Sequence, residues 1–206
     1  MDERKTELAD IAIRIIAERG YQALTFRNLA EAAGTSTMTF SYAFKTRERL
    51  LDALIDRVYS RSWRMRGFDR DDDRDDPLGK LRAACSVAVQ DEAEIDPNQR
   101  VLDRFVMEAP YSAETGGKVN ALDELLEARY VHLIEVAREQ GAIDPLLSPS
   151  DVIQLIWSVG DGLNIQRYAN PDAFPPERVT RLFEVAFNDV LGLSRVGPAG
   201  QEPVVA

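Results

Sequence analysis

The chain carries one cysteine, Cys85, and one histidine, His132, among its 206 residues. A single thiol cannot close an internal disulfide, and one thiol with one imidazole is too small a set of soft ligands for zinc. A nucleophile–base dyad is equally short of parts. There is no phosphate-binding loop, no G-x-S-x-G, no H-E-x-x-H and no E-x-x-H pair, so the sequence does not read as an enzyme and no cofactor or metal is expected. No apolar run approaches the length of a bilayer span, and the opening MDERKTELAD is charged where a signal peptide needs an apolar stretch. The expectation is a cytoplasmic protein with no membrane partner. Strand signals are also nearly absent. One further lack is local: in TFRNLAEAAGTSTMTFSYAF, residues 25–44, no charge of either sign occurs across the ten residues from Thr35 to Phe44.

What is present is charge, unevenly divided. The net charge is −10, which by itself argues against a nucleic-acid partner, because neutralising phosphates supplies much of such affinity. Through Arg66, however, twelve cations face nine carboxylates, a surplus of three that leaves −13 on the remainder. The two parts are therefore suited to different partners. The run Asp69, Asp71, Asp72, Asp73, Asp75 and Asp76 lies where they meet. Like-charge repulsion marks Gly67 to Pro77 as a solvated linker. As a calcium loop it fails, with Arg74 where glycine is needed and Lys80 where a glutamate should close the site.

Apolar residues recur three and four apart through most of the chain, so the expected fold is all-α with about nine helices. Leu8, Ile11, Ala12, Ile15 and Ile16 line a first helix that Gly20 stops. Thr25 caps a second, with Phe26, Leu29, Ala30 and Ala33 inward, and Gly34 permits a sharp turn. A third runs over about Thr37–Tyr42 and buries Phe40. Thr46 caps a fourth that continues to about Met65. Pro77, Pro97 and Pro149 each stand at a helix start, and another helix opens near Pro176. The expected division is a helix-turn-helix domain over 1–66, a helical domain over 77–193 and a frayed tail over 194–206.

Two short helices joined at a glycine and flanked by longer amphipathic ones have the spacing of a motif that sets its second helix in the major groove of DNA. Structural helical hairpins share that spacing. More specific is the wording of residues 11–51, IAIRIIAERGYQALTFRNLAEAAGTSTMTFSYAFKTRERLL. A-E-R-G-Y at Ala17–Tyr21, L-A-x-x-A-G at Leu29–Gly34 and F-x-T-R-E at Phe44–Glu48 resemble the N-terminal domain of the TetR (tetracycline-repressor) family of bacterial transcription regulators. IWSVGDGLNIQ is similar to an aspartate-glycine helix of that family's second lobe. The sequence departs from the family where Met38 stands for a usual glycine, Ser41 for a tyrosine that grips phosphate, and Ala43 for a histidine.

The resemblance implies that residues 35–44 face DNA. Thr35, Ser36, Thr37, Thr39 and Ser41 offer hydroxyls to base edges, and Met38 with the threonine methyls can meet thymine methyl groups. Tyr42 is either a replacement phosphate contact or a packed aromatic. Arg27, Lys45, Arg47 and Arg49 flank this stretch, with Arg4 and Lys5 on an arm, and cations there suffice to fix register on the backbone.

In the acidic lobe the apolar stripe of the last two helices is wide, which suggests two buried faces. Val152, Leu155 and Ile156 are expected inward, and Ile153, Trp157, Gly160, Asn164, Phe183 and Phe187 toward a second copy, since family members pair these helices across a two-fold axis. The resemblance further implies an effector pocket for an unidentified small molecule, for which Cys85, Val89, Phe105, Tyr111, Arg129 and Tyr130 are the candidates. The implied function is a repressor that binds a palindromic double-stranded operator as a homodimer and is released by that effector. The alternative, supported by Ser41 and Ala43, is a regulator-shaped protein that no longer binds specific DNA and acts through protein contacts.

Overall fold

The structure is a computed structural model that describes residues 3–70, 72–89, 96–108, 111 and 115–196. Asp71 of the acidic run and the tail from 197 onward lie outside the described residues. Among those described there are nine α-helices and no strand: α1 Glu3–Arg19, α2 Phe26–Ala32, α3 Thr37–Phe44, α4 Arg47–Met65, α5 Pro77–Ser86, α6 Pro97–Glu108, α7 Gly116–Glu139, α8 Pro149–Ala169 and α9 Pro176–Val190. They form two compact units that do not follow the chain as two consecutive blocks: Met1–Arg64 groups with Ile95–Glu124, and Met65–Glu94 with Leu125–Ala206. Thus α6 and the start of α7 belong with the first unit.

In the first unit α1 is covered on two sides, by α6 and by α2 and α3. This is why Ile13 is buried along with Leu8, Ala9, Ala12, Ile15 and Ile16, while Ile11 is half-exposed. Gly20 ends α1 at φ 82°, and a Cβ there would stand 2.9 Å from Arg104 Nη1 of α6. Glycine is favoured here by the backbone conformation, and any Cβ would also push the flexible end of Arg104 aside. Tyr21 then sets its ring edge-on to Phe105 at 6.3 Å. Across α1 and α4, Arg57 donates two bonds to Asp10, 2.6 and 2.7 Å long. The start of α7 is tied to α4 by Lys118 on Asp56 at 2.9 Å and by Tyr59, whose hydroxyl donates to Asp123 at 2.7 Å.

The second unit is centred on Tyr130. Phe68 and Trp157 meet its ring edge-on at 4.9 and 5.7 Å. Its hydroxyl donates to the Ala84 carbonyl at 3.0 Å and accepts from Arg66 Nε at 2.8 Å, and burial pushes its ionisation well above the usual phenol range. At the helix starts marked by Pro77 and Pro149, the residue before the proline is the cap. Asp76 accepts from Gly79 N at 2.9 Å at the start of α5, and Ser148 accepts from Asp151 N at 3.2 Å at the start of α8.

The segment expected to be a solvated linker is exposed at Asp69, Asp72, Asp75 and Asp76 but is tied down at Phe68 and Asp73. Phe68 is buried, and Asp73 takes the Arg129 guanidinium in a two-point fork whose Nη2–Oδ1 arm is 2.6 Å. His132 Nε2 lies 3.3 Å from the same carboxylate, and Lys80 pairs with Asp72 at 2.6 Å. The repulsion in the acidic run is real, but cations from α5 and α7 offset it. The Arg129 bonds outweigh desolvation and hold the Asp73 carboxyl below its ordinary value.

Candidate nucleic-acid interface

The helix-turn-helix is fixed by local bonds. Thr25 accepts from Asn28 N at 3.2 Å, and the Asn28 side chain returns to the Ala23 carbonyl at 2.9 Å. Gly34 turns the chain at φ 57°, with Thr35 N closing on the Ala30 carbonyl at 2.9 Å. Phe26, Phe40 and Phe44 form a row of rings 6.4 and 6.3 Å apart that seats α3. The helix is two residues longer than expected. It ends on Lys45 at φ 66°, an uncommon conformation for a side chain with a Cβ, and Thr46 then caps α4 by accepting from Arg49 N at 3.2 Å.

With Phe40 and Phe44 inward, the remaining residues of α3 form an uncharged surface. Met38 is 77 % exposed and Tyr42 81 %; Ser36 and Thr37 are exposed, and Thr35, Thr39, Ser41 and Ala43 half-exposed. The hydroxyls of Thr35 and Thr39 lie 2.9 Å apart, and Ser36 approaches Thr39 at 3.2 Å. Tyr42 is not a packed aromatic: its ring faces solvent with the Lys45 ammonium 4.8 Å from its centroid.

Cations surround this surface. Arg27, Lys45, Arg47 and Arg49 are exposed, and the Arg47 guanidinium rests 5.1 Å from the Tyr21 ring. Arg4 and Lys5, expected on an arm, are instead in the first turn of α1; Arg4 pairs with Glu7 at 2.8 Å and Lys5 lies 5.3 Å from the Phe44 ring. Between α1 and α3 is a groove of about 510 Å³. Arg4, Lys5 and Tyr42 line it together with Met38 and Thr39. Leu8 and Ala43 also line this groove, a place that the sequence does not mark for either, because it depends on how α1 packs beside α3.

The other candidates fare differently. Phe105 is in the core of the first unit against Tyr21, and Tyr111, also in that unit, is 88 % exposed. Cys85, Val89, Arg129 and Tyr130 belong to the second unit. The Arg129 guanidinium is held by Asp73 and the Tyr130 hydroxyl by Ala84 and Arg66. Neither is an open anchor for a ligand. Burial pushes the Cys85 thiol up to about 12, so it stays protonated and unreactive at neutral pH.

The residues assigned to a dimer face need correction as well. Ile153, Gly160, Asn164, Phe183 and Phe187 are buried within the second unit, Asn164 accepting from Arg167 Nη2 at 2.9 Å. Trp157 is half-buried against Tyr130. These side chains serve the subunit's own core. Leu155, expected inward, is exposed, as are Ile165, Tyr168, Leu182 and Val185. Ile165 and Tyr168 on α8 stand three residues apart, as do Leu182 and Val185 on α9, so each helix carries one outward apolar pair, with Leu155 on another side of α8.

Residues 8–54 match the family model of the bacterial regulatory proteins, tetR family. The HTH-type transcriptional repressor KstR2 of Rhodococcus jostii (strain RHA1) is 32 % identical over 93 residues, which is 45 % of this chain and 38 % of that protein. The match therefore spans well under half of the curated relative's length. Among solved structures, a putative TetR-family transcriptional regulator from Rhodococcus sp. is similar at a TM-score of 0.75 and 23 % identity, covering 93 % of this chain and 100 % of its own. A putative transcriptional regulator from Saccharomonospora viridis, in complex with choline, gives a TM-score of 0.73 at 16 % identity over 92 % of this chain and 97 % of its own. At these identities the two structures speak for the fold. No helix among the described residues is long and apolar enough to cross a membrane.

Proposed function

We propose that the chain, whose residues 8–54 match the family model of the bacterial regulatory proteins, tetR family, is a DNA-binding transcriptional regulator of that family, a repressor that holds a palindromic operator as a homodimer and leaves it when a small molecule binds the second unit. The observation that carries this reading is the surface of α3: uncharged, open to solvent and flanked by Arg27, Lys45, Arg47 and Arg49. Cations beside a neutral helix can hold phosphates on either side while the helix meets base edges. Tyr42 and Lys45, stacked together at the end of α3, take the phosphate contact that Ser41 is too short to make.

A homodimer would use the exposed pairs Ile165 and Tyr168 on α8 and Leu182 and Val185 on α9. Pairing them across a two-fold axis removes apolar surface from water, and a two-fold dimer matches a palindromic operator, whose half-sites lie about 34 Å apart, one turn of DNA. The effector is unidentified; choline is the ligand of the Saccharomonospora protein.

The test is selection of bound duplexes from fragmented genomic DNA, followed by gel shifts of the selected duplex against its half-site. Tight binding to the full site, much weaker binding to the half-site and a steep fall with salt are expected. Equal binding to both would contradict the dimeric reading, and no selected duplex would contradict DNA binding. Leu182→Glu with Val185→Glu should leave a monomer at micromolar concentration by sedimentation and abolish full-site binding.

A further inference from the structure

The hydroxyls in the turn before α3 and in its first turn are less available than their number suggests. Thr35, Ser36 and Thr39 form a cluster with two mutual bonds, at 2.9 and 3.2 Å, so two of its three hydroxyl protons are engaged internally and one is left to offer a base. Tyr42 has the Lys45 ammonium against its ring, an arrangement suited to the backbone rather than to a base edge. The side chain that reaches furthest from α3 without a polar task is Met38, 77 % exposed. An exposed methionine alone says little. This one stands in the groove between α1 and α3, with Leu8 and Ala43 as its apolar neighbours and Arg4 and Lys5 as its cations. Here an apolar, polarisable and flexible side chain is presented where the anionic partner would arrive.

The apolar feature that a duplex displays in its major groove is the 5-methyl group of thymine. We propose that Met38 reads thymine through that methyl group, seated in the groove beside Met38 and Ala43, so that the operator half-site carries a thymine opposite the first turn of α3. The inference rests on the DNA-binding reading above and names the chemistry by which it discriminates. The same surface would accept the methyl of 5-methylcytosine, which shares that chemistry.

In the selected duplex each thymine of a half-site is replaced in turn by uracil, which removes only the methyl group. At one or two positions per half-site affinity should fall about fourfold for each methyl removed, and about fifteenfold when both half-sites are changed. Met38→Ala should bind thymine and uracil duplexes alike, while Met38→Leu restores the preference; their thermal midpoints should match the parent because Met38 is exposed. Indifference to uracil at every position, or an undiminished thymine preference in Met38→Ala, overturns the proposal while leaving DNA binding intact. A second arm methylates each cytosine at carbon 5. A gain there larger than any thymine-to-uracil loss would assign the surface to 5-methylcytosine and overturn the thymine assignment. A protein that retains no duplex overturns this inference together with the reading it rests on.

Discussion

Two stretches of the chain each depart at particular residues from the place their composition suggests. Thr35–Phe44 has no charge and would pass for core, yet apart from Phe40 and Phe44 it stays at the surface. The acidic run from Asp69 to Asp76 would pass for a solvated tether, yet Asp73 keeps only 12 % of its side chain exposed, held by Arg129. Charge density in a sequence therefore says less about exposure than the presence of a partner does. An uncharged surface costs little to leave open when its hydroxyls satisfy one another, and a carboxylate can be drawn inward when a guanidinium meets it at two points.

The largest expected effect comes from removing the partnership in the acidic run. Asp73→Asn leaves the Arg129 guanidinium without its carboxylate in a mostly buried place, and should lower the unfolding free energy by about 2–3 kcal/mol in urea titrations. The pH dependence follows from the same pair. Because folding lowers the Asp73 carboxyl below its ordinary value of 3.8, its contribution is fully present above that value and is lost as pH falls through the lowered folded-state value. Acid titration of the parent should show stability declining below about pH 4, and Asp73→Asn should flatten that decline. A smaller change is expected from Lys80→Ala, whose pair with Asp72 is more exposed: at most about 1 kcal/mol, reduced further by salt. Least of all, Met38→Ala should move stability by no more than about 0.5 kcal/mol. An effect as large as that of Asp73→Asn would mean that the open surface of α3 is structural after all.

The helices were legible where their signals are local. Thr25, Thr46, Asp76 and Ser148 cap the helices they precede because a cap acts over three residues. The reading helix was legible for the same reason, as a short segment bounded by a turn and a cap. What the sequence misplaced depends on partners far along the chain. Asp73 meets Arg129 and Phe105 meets Tyr21, and neither pairing leaves a trace in local spacing. The wide stripe on α8 and α9 was recognised, but which side faces the subunit's own core is decided by packing, and so Ile153, Asn164, Phe183 and Phe187 were assigned outward while Leu155 was assigned inward. The groove between α1 and α3 was invisible for a similar reason, since periodicity gives each helix a face but not its neighbour.

The central claim is a division of labour in which flanking cations hold phosphates and a neutral helix feels bases. It is tested most directly by the salt dependence of affinity for the selected duplex in the parent, Lys45→Ala and Met38→Ala. Lys45→Ala should reduce the slope of log affinity against log salt by about 0.9 for each phosphate contact removed, while Met38→Ala lowers affinity with the slope unchanged. Slopes that are flat in all three proteins, or that change with Met38 and not with Lys45, would contradict it.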